Sequence, residues 1–241
     1  MARYPGRVKW LTPVLLLIAA VLAGLLFLRQ TDPQPQYGTA LADPKPLPAL
    51  TLLSDQDQPA ALNDSQGKLR LIFYGFVRCP DVCPTTLGVL SSQYSALPAD
   101  LQDKVLVQLV SVDPVHDRPA VLREYLNRFD DRFVGLTGET ASIDEAARSM
   151  FVGITRLPTA EATDHSAHMS ANTETAQSGA SVDTGAAPPQ ESAAEAAMIH
   201  SDQVSVVDIQ GNFVRVYGNQ AVASGQLAQD LPALVAQYGP Q

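Results

Sequence analysis

The chain has 241 residues, 46% of them hydrophobic, enough for one domain with an ordinary core and some accessory segments. Its net charge of −9 argues against a nucleic-acid partner, whose phosphates attract basic surfaces. The charge is uneven: Arg3, Arg7, Lys9 and Arg29 fall in residues 1–30, which hold no acidic residue.

That basic start reads as a membrane signal. The apolar run from Leu11 to Leu28 contains no charged residue. As a helix rising about 1.5 Å per residue it approaches the hydrocarbon core of a bilayer, with Arg29 placed to snorkel at its end. The positive-inside rule then keeps residues 1–30 as a cytoplasmic tail plus transmembrane anchor and exports the rest. A cleaved signal peptide is the alternative, with Val21-Leu22-Ala23 as its small-residue site. Continuation through Leu25, Leu26, Phe27 and Leu28 suits an anchor better. No cysteine directly follows the run to carry a lipid, and no Arg- and Ser-rich organelle leader precedes it. The expected setting is a bacterial inner membrane, crossed once, with the domain in the periplasm.

Residues 31–48 are rich in Pro and Gln and predict an extended tether to a domain over 49–241. Leu50 to Leu53 predicts a short strand. Leu69 to Phe76 is a continuous apolar run, expected of a strand buried on both faces. Pro84 to Leu97 has helical spacing, with Leu87, Leu90 and Tyr94 on one side. Val105 to Val112 predicts a second buried strand, and Arg118 to Phe129 a helix with Pro119 in its first turn. Phe133 to Leu136 reads as a strand, and Ser142 with Glu145 as a capping box opening a helix to about Met150. Gln203 to Ile209 and Phe213 to Tyr217 flank Gln210-Gly211-Asn212, a hairpin signal, before a last helix from Ser224 to Tyr238. The fold class is α/β, with a thioredoxin-like domain.

Residues 159–197 break the pattern. They hold no aromatic residue and only one branched aliphatic, Val182, so they cannot bury enough apolar surface to offset ordering. A disordered, low-complexity insert is expected.

The only two cysteines, Cys79 and Cys83, lie between the Leu69–Phe76 strand and the following helix. Free amides and the positive end of the dipole at a helix N-terminus favour thiolate, and two thiolates converge well on a soft cation such as Cu(I). Flanking Pro80 and Pro84 limit the entropy lost on binding. A small disulfide in an oxidising compartment is the alternative. A metal site needs a third ligand, and imidazole suits copper. Of His116, His165, His168 and His200, the last stands just before the hairpin strand, in a loop that is expected to face the cysteine loop. A histidine near a strand is otherwise an ordinary surface residue.

Phe73-Tyr74-Gly75-Phe76, Cys79-Pro80-Asp81-Val82-Cys83-Pro84 and Ser111-Val112-Asp113-Pro114 followed by Asp117 resemble the Sco/SenC copper chaperones. Tyr125, Phe129 and Phe133 to Gly138 extend the resemblance over roughly residues 49–157 and 199–239. It implies a thioredoxin fold and one copper held by Cys79, Cys83 and His200. It also implies delivery of that copper to the binuclear copper centre of cytochrome c oxidase subunit II. Other copper chaperones and thiol reductants are further implied partners. The same pair also suits a thiol–disulfide oxidoreductase or a redox sensor, though three residues separate the cysteines where thioredoxin-like redox motifs have two.

The chain departs from the family pattern at the long insert and at Ile199, where an acid often precedes the histidine. His165, His168 and Met169 of the insert, with Met198, are candidates for transient copper capture; a solvated linker with incidental histidines is the plainer reading. Asp113 is expected beside the ligands or facing a partner, or else as a turn or helix-cap aspartate before Pro114.

Overall fold

The structure, a computed structural model, describes residues 8–30, 34–156, 198–200 and 202–240. The expected insert and its His165, His168 and Met169 lie outside these residues.

The first element is helix α1, Val8–Gln30. Among the described residues no helix is long and apolar enough to cross a membrane. The side chains described in α1 are those of residues 12–25, and Leu15, Leu16, Leu17 and Leu22 are exposed among them.

The domain is one eight-stranded sheet. Its strands in chain order are β1 (Thr39–Pro46), β2 (Thr51–Ser54), β3 (Pro59–Ala61), β4 (Leu69–Gly75), β5 (Val105–Ser111) and β6 (Val134–Thr137). Strands β7 (Ile154–Arg156) and β8 (Met198–His200) form a separate antiparallel pair, and β9 (Gln203–Val207) and β10 (Asn212–Gly218) complete the large sheet. The order across it is β1-β10-β9-β4-β5-β6-β2-β3. Strands β4, β5 and β6 are parallel; β9 runs against β4, β10 against β9, and β1 against β10.

All residues of β4 are buried. Because alternate side chains point to opposite faces, both faces of the central strand are covered. Leu69, Leu71, Ile72 and Phe73 are each at most 1% exposed, and each such burial is worth about 1.5–3 kcal/mol. The parallel strands are joined through α2 (Val82–Ser95) and the short α3 (Ala99–Gln102), then through α4 (Pro119–Leu126). Helices α5 (Thr140–Ser149), α6 (Asn219–Ala223) and α7 (Gln226–Tyr238) complete the domain.

Several boundaries differ from expectation. The capping box is absent: α5 starts at Thr140, two residues before Ser142, and Glu139 occupies its N-cap without a side-chain bond. The last helix is found as α7, and the short α6 precedes it unannounced, the two separated at Gly225, whose φ of 80° requires the left-handed region. Within the stretch read as a tether, 31–48, residues 39–46 are strand β1 at the sheet edge. Edge strands tolerate Pro44 and Pro46 because their outer amides need no ladder partner.

The N-terminal side of β1 is clasped as well. The buried Asp230 carboxylate on α7 accepts hydrogen bonds from the amides of Gln36 and Tyr37 and from the Tyr217 hydroxyl, each at 2.7 Å.

Candidate metal centre

Parallel sheets bind ligands beyond the carboxyl ends of their strands. The cysteine loop, residues 76–81, leaves β4 at that end and enters α2. Cys79 is partly exposed, Cys83 is fully buried in the first turn of α2, and neither is joined in a disulfide. The amide of Cys83 donates to Cys79 Sγ at 3.4 Å, so the helix N-terminus holds the outer sulfur over the inner residue.

Two influences compete at Cys83. The helix N-terminus favours thiolate, but burial pushes this thiol far above its ordinary range; the neighbouring Cys79 and Asp202 add to the rise, and a hydrogen bond from the Phe76 backbone opposes it. Burial prevails in the metal-free protein. A cation between the sulfurs reverses that balance, because thiols bind metals as thiolates.

Space for Cys83 comes from Gly75. A Cβ at Gly75 would stand 3.0 Å from Cys83 Sγ, 2.9 Å from Phe73 Cε1 and 3.1 Å from Leu109 Cδ1. The end of β4 therefore carries no side chain where the inner sulfur packs.

The loop is fastened from below by two aspartates. Asp117 is buried, and its Oδ2 accepts from the Val77 amide at 3.0 Å and from Ser111 Oγ at 2.7 Å. Burial pushes its carboxyl up despite these two bonds. Asp113, 4% exposed, pairs with Arg78 at 3.0 Å and lies 2.9 Å from His116 Nδ1. It grips the residue next to Cys79, and its carbonyl accepts from the amides of His116 and Asp117, so it serves the turn as well. His116 is engaged at this pair.

Tyr125 on α4 completes the floor. Its hydroxyl is buried with no hydrogen-bond partner among the described residues. Burial, together with the charges of Cys83, Cys79 and Asp117, pushes this phenol well up. An orphaned donor within electrostatic reach of two sulfurs fits a site whose electron-rich atoms gain negative charge.

The structure thus brings Cys79 and Cys83 together. For His200 it gives the backbone: β8 pairs with β7, His200 opposite Ile154. The chain then enters β9, where Val204 pairs with Phe73, so the His200 segment meets the sheet at the cysteine end. Asp202, two residues on, is near enough to Cys83 to act on its thiol. Among the described residues no group of three or more His, Cys, Asp or Glu stands assembled for a metal. Asp202 and the clasp at Asp230 were not singled out in the sequence; the family motif includes Gly75, Asp117 and Tyr125 without giving them a role.

Residues 43–194 match the family model described as SCO1/SenC. The chain belongs to the SCO1/SenC family. The match includes both cysteines and ends before His200. A Stutzerimonas stutzeri protein named for copper binding is 32% identical over 115 residues, 48% of this chain and 55% of that protein. This chain thus spans about half the length of that curated relative. The solution structure of apo Sco1 from Thermus thermophilus is 33% identical, with a TM-score of 0.59 over 82% of this chain and 96% of that one. The copper-bound ScoI of Bradyrhizobium japonicum is 27% identical, with a TM-score of 0.55 over 83% and 99%.

Proposed function

We propose that this SCO1/SenC protein is a copper metallochaperone that holds its cargo between Cys79, Cys83 and His200. It delivers that copper to the binuclear centre of cytochrome c oxidase subunit II. One observation carries the reading: Cys79 and Cys83 converge at the start of α2, at the sheet end where the His200 segment enters β9. The copper-bound Bradyrhizobium relative and the copper-binding name of the Stutzerimonas relative support it.

The donor set fits the cargo. Two sulfurs and one imidazole are soft to intermediate ligands that suit Cu(I). Binding releases the thiol protons, which Cys83 holds tightly in the free protein. Cys79, the more exposed sulfur, is the first that a partner's thiolates displace, so the cargo passes between ligand sets without entering solution. Residues 1–30 anchor the chain in a bacterial inner membrane, N-terminus cytoplasmic. The uncharged run Leu11–Leu28 in the sequence, after the basic Arg3, Arg7 and Lys9, supports this reading. The domain then works in the periplasm, where other copper chaperones load it and thiol reductants keep the pair open.

X-ray absorption on the copper-loaded full chain tests the ligand set. Two sulfur scatterers and one imidazole are expected, the imidazole disappearing in His200→Ala. An unchanged spectrum in that variant removes His200 from the site.

A second reading, a thiol–disulfide oxidoreductase or sensor, is favoured by the asymmetry of the pair. A partly exposed Cys79 and a buried Cys83 suit an attacking and a resolving thiol. His200→Ala separates the readings: chaperoning collapses, and dithiol exchange survives.

A further inference from the structure

The sheet register fixes which end of the domain faces the anchor. Thr39 of β1 pairs with Val216 of β10, Val216 with Ser205 of β9, and Ser205 with Ile72 of β4. Strand β1 runs against β10, so the chain before Thr39 heads toward the end where β4 gives way to the cysteine loop. Strands β10 and β9 intervene between β1 and β4, placing the two exits about 14 Å apart across the sheet. Gly38 makes the exit possible: its φ is 66°, and a Cβ there would stand 2.8 Å from the Tyr217 ring. Asp230 then holds the amides of Gln36 and Tyr37, so the segment is part of the domain up to that point.

Helix α1 ends at Gln30. The six residues from there to Gln36 span at most about 20 Å fully extended. A folded domain of this size has a radius of gyration near 15 Å, hence a diameter of about 40 Å. The leash is shorter than the body it holds.

We propose that the sheet end bearing Cys79 and Cys83 is held facing the membrane by this short leash and the Asp230 clasp. Its partner is accordingly a membrane-resident protein presenting its copper or thiol ligands within roughly 20 Å of the lipid headgroups. The proposal rests on the anchoring reading above and deepens it by fixing orientation and height. Confinement of this kind raises the effective concentration of partners at that height and excludes those whose sites stand farther out.

Energy transfer to labelled lipid tests it. The full chain is placed in nanodiscs carrying an acceptor dye on the headgroups, with a donor dye on the partly exposed Cys79. A second preparation carries the donor at Asp103→Cys in a Cys79→Ser, Cys83→Ser background. Asp103 is exposed just before β5, at the opposite end of the sheet. Transfer severalfold greater from Cys79 is expected. Inserting about twenty Gly/Ser residues after Gln34, a coil of about 25 Å, should lower the Cys79 signal toward that of the far end. Equal or reversed transfer at the two positions overturns the proposal, as does a Cys79 signal indifferent to the insertion. The insertion arm needs no cysteine replacement, so it decides even if the triple variant does not fold. A chain recovered free of the nanodiscs overturns the anchoring reading and the proposal with it, and is told apart by its separation from lipid.

Discussion

The sulfur of Cys79 lies 3.4 Å from the backbone nitrogen of Cys83, so the inner cysteine's own amide supports the outer thiol. The two members of the pair consequently differ. Cys79 is accessible and rests on a helix N-terminus; Cys83 is buried, and burial holds its proton. Iodoacetamide should therefore alkylate the reduced, metal-free protein at Cys79 well before Cys83. Mass mapping of timed samples checks this, and equal rates at both positions would contradict the asymmetry.

Gly75 sets the depth of the inner sulfur. In Gly75→Ala the new methyl stands 3.0 Å from Cys83 Sγ and 2.9 Å from Phe73, too close for either to stay in place. Overpacking of this kind costs about 1–3 kcal/mol. Denaturant unfolding should show that loss, and copper affinity should fall with it because Cys83 is displaced. Unchanged unfolding and unchanged affinity would mean that the end of β4 has room to spare.

The Asp230 clasp joins segments 194 residues apart. Asp230→Ala leaves the Tyr217 hydroxyl and two amides without their acceptor. A loss of about 2–4 kcal/mol is expected, since each unsatisfied buried donor costs about 1–3 kcal/mol and Gln36 retains access to water. Limited proteolysis should then cut between residues 34 and 46, where the intact protein resists. Resistance equal to that of the parent chain would show that β1 holds without the clasp.

The contrast between what the sequence announced and what it concealed follows from range. Strands β4 and β5 are runs of apolar residues, legible because burial on both faces leaves no polar positions. Helix α2 and the β9–β10 hairpin carry their own periodicity and turn residues. Strand β1 carries neither: its Pro44 and Pro46 read as linker, and its pairing with β10 is a contact between distant parts of the chain. The clasp at Asp230 is hidden for the same reason. The α5 start was misplaced because Ser142 and Glu145 have capping-box spacing, yet the turn before them already adopts helix. At the site, the cysteines were legible from their place between strand and helix. Gly75 and Asp202 gained a role only once β4, α2 and β9 were brought to one end of the sheet.

The account's central claim is a three-ligand copper site, and anaerobic Cu(I) titration of the full chain against a competing chelator tests it most directly. The parent protein should take up one tightly held copper per chain, and Cys79→Ala, Cys83→Ala and His200→Ala should each weaken it. The cysteine variants should lose more, because each removes a sulfur that a soft cation prefers. Absence of a tightly held copper in the parent protein, with the cysteines still cycling between dithiol and disulfide, would contradict the claim and leave the oxidoreductase reading standing.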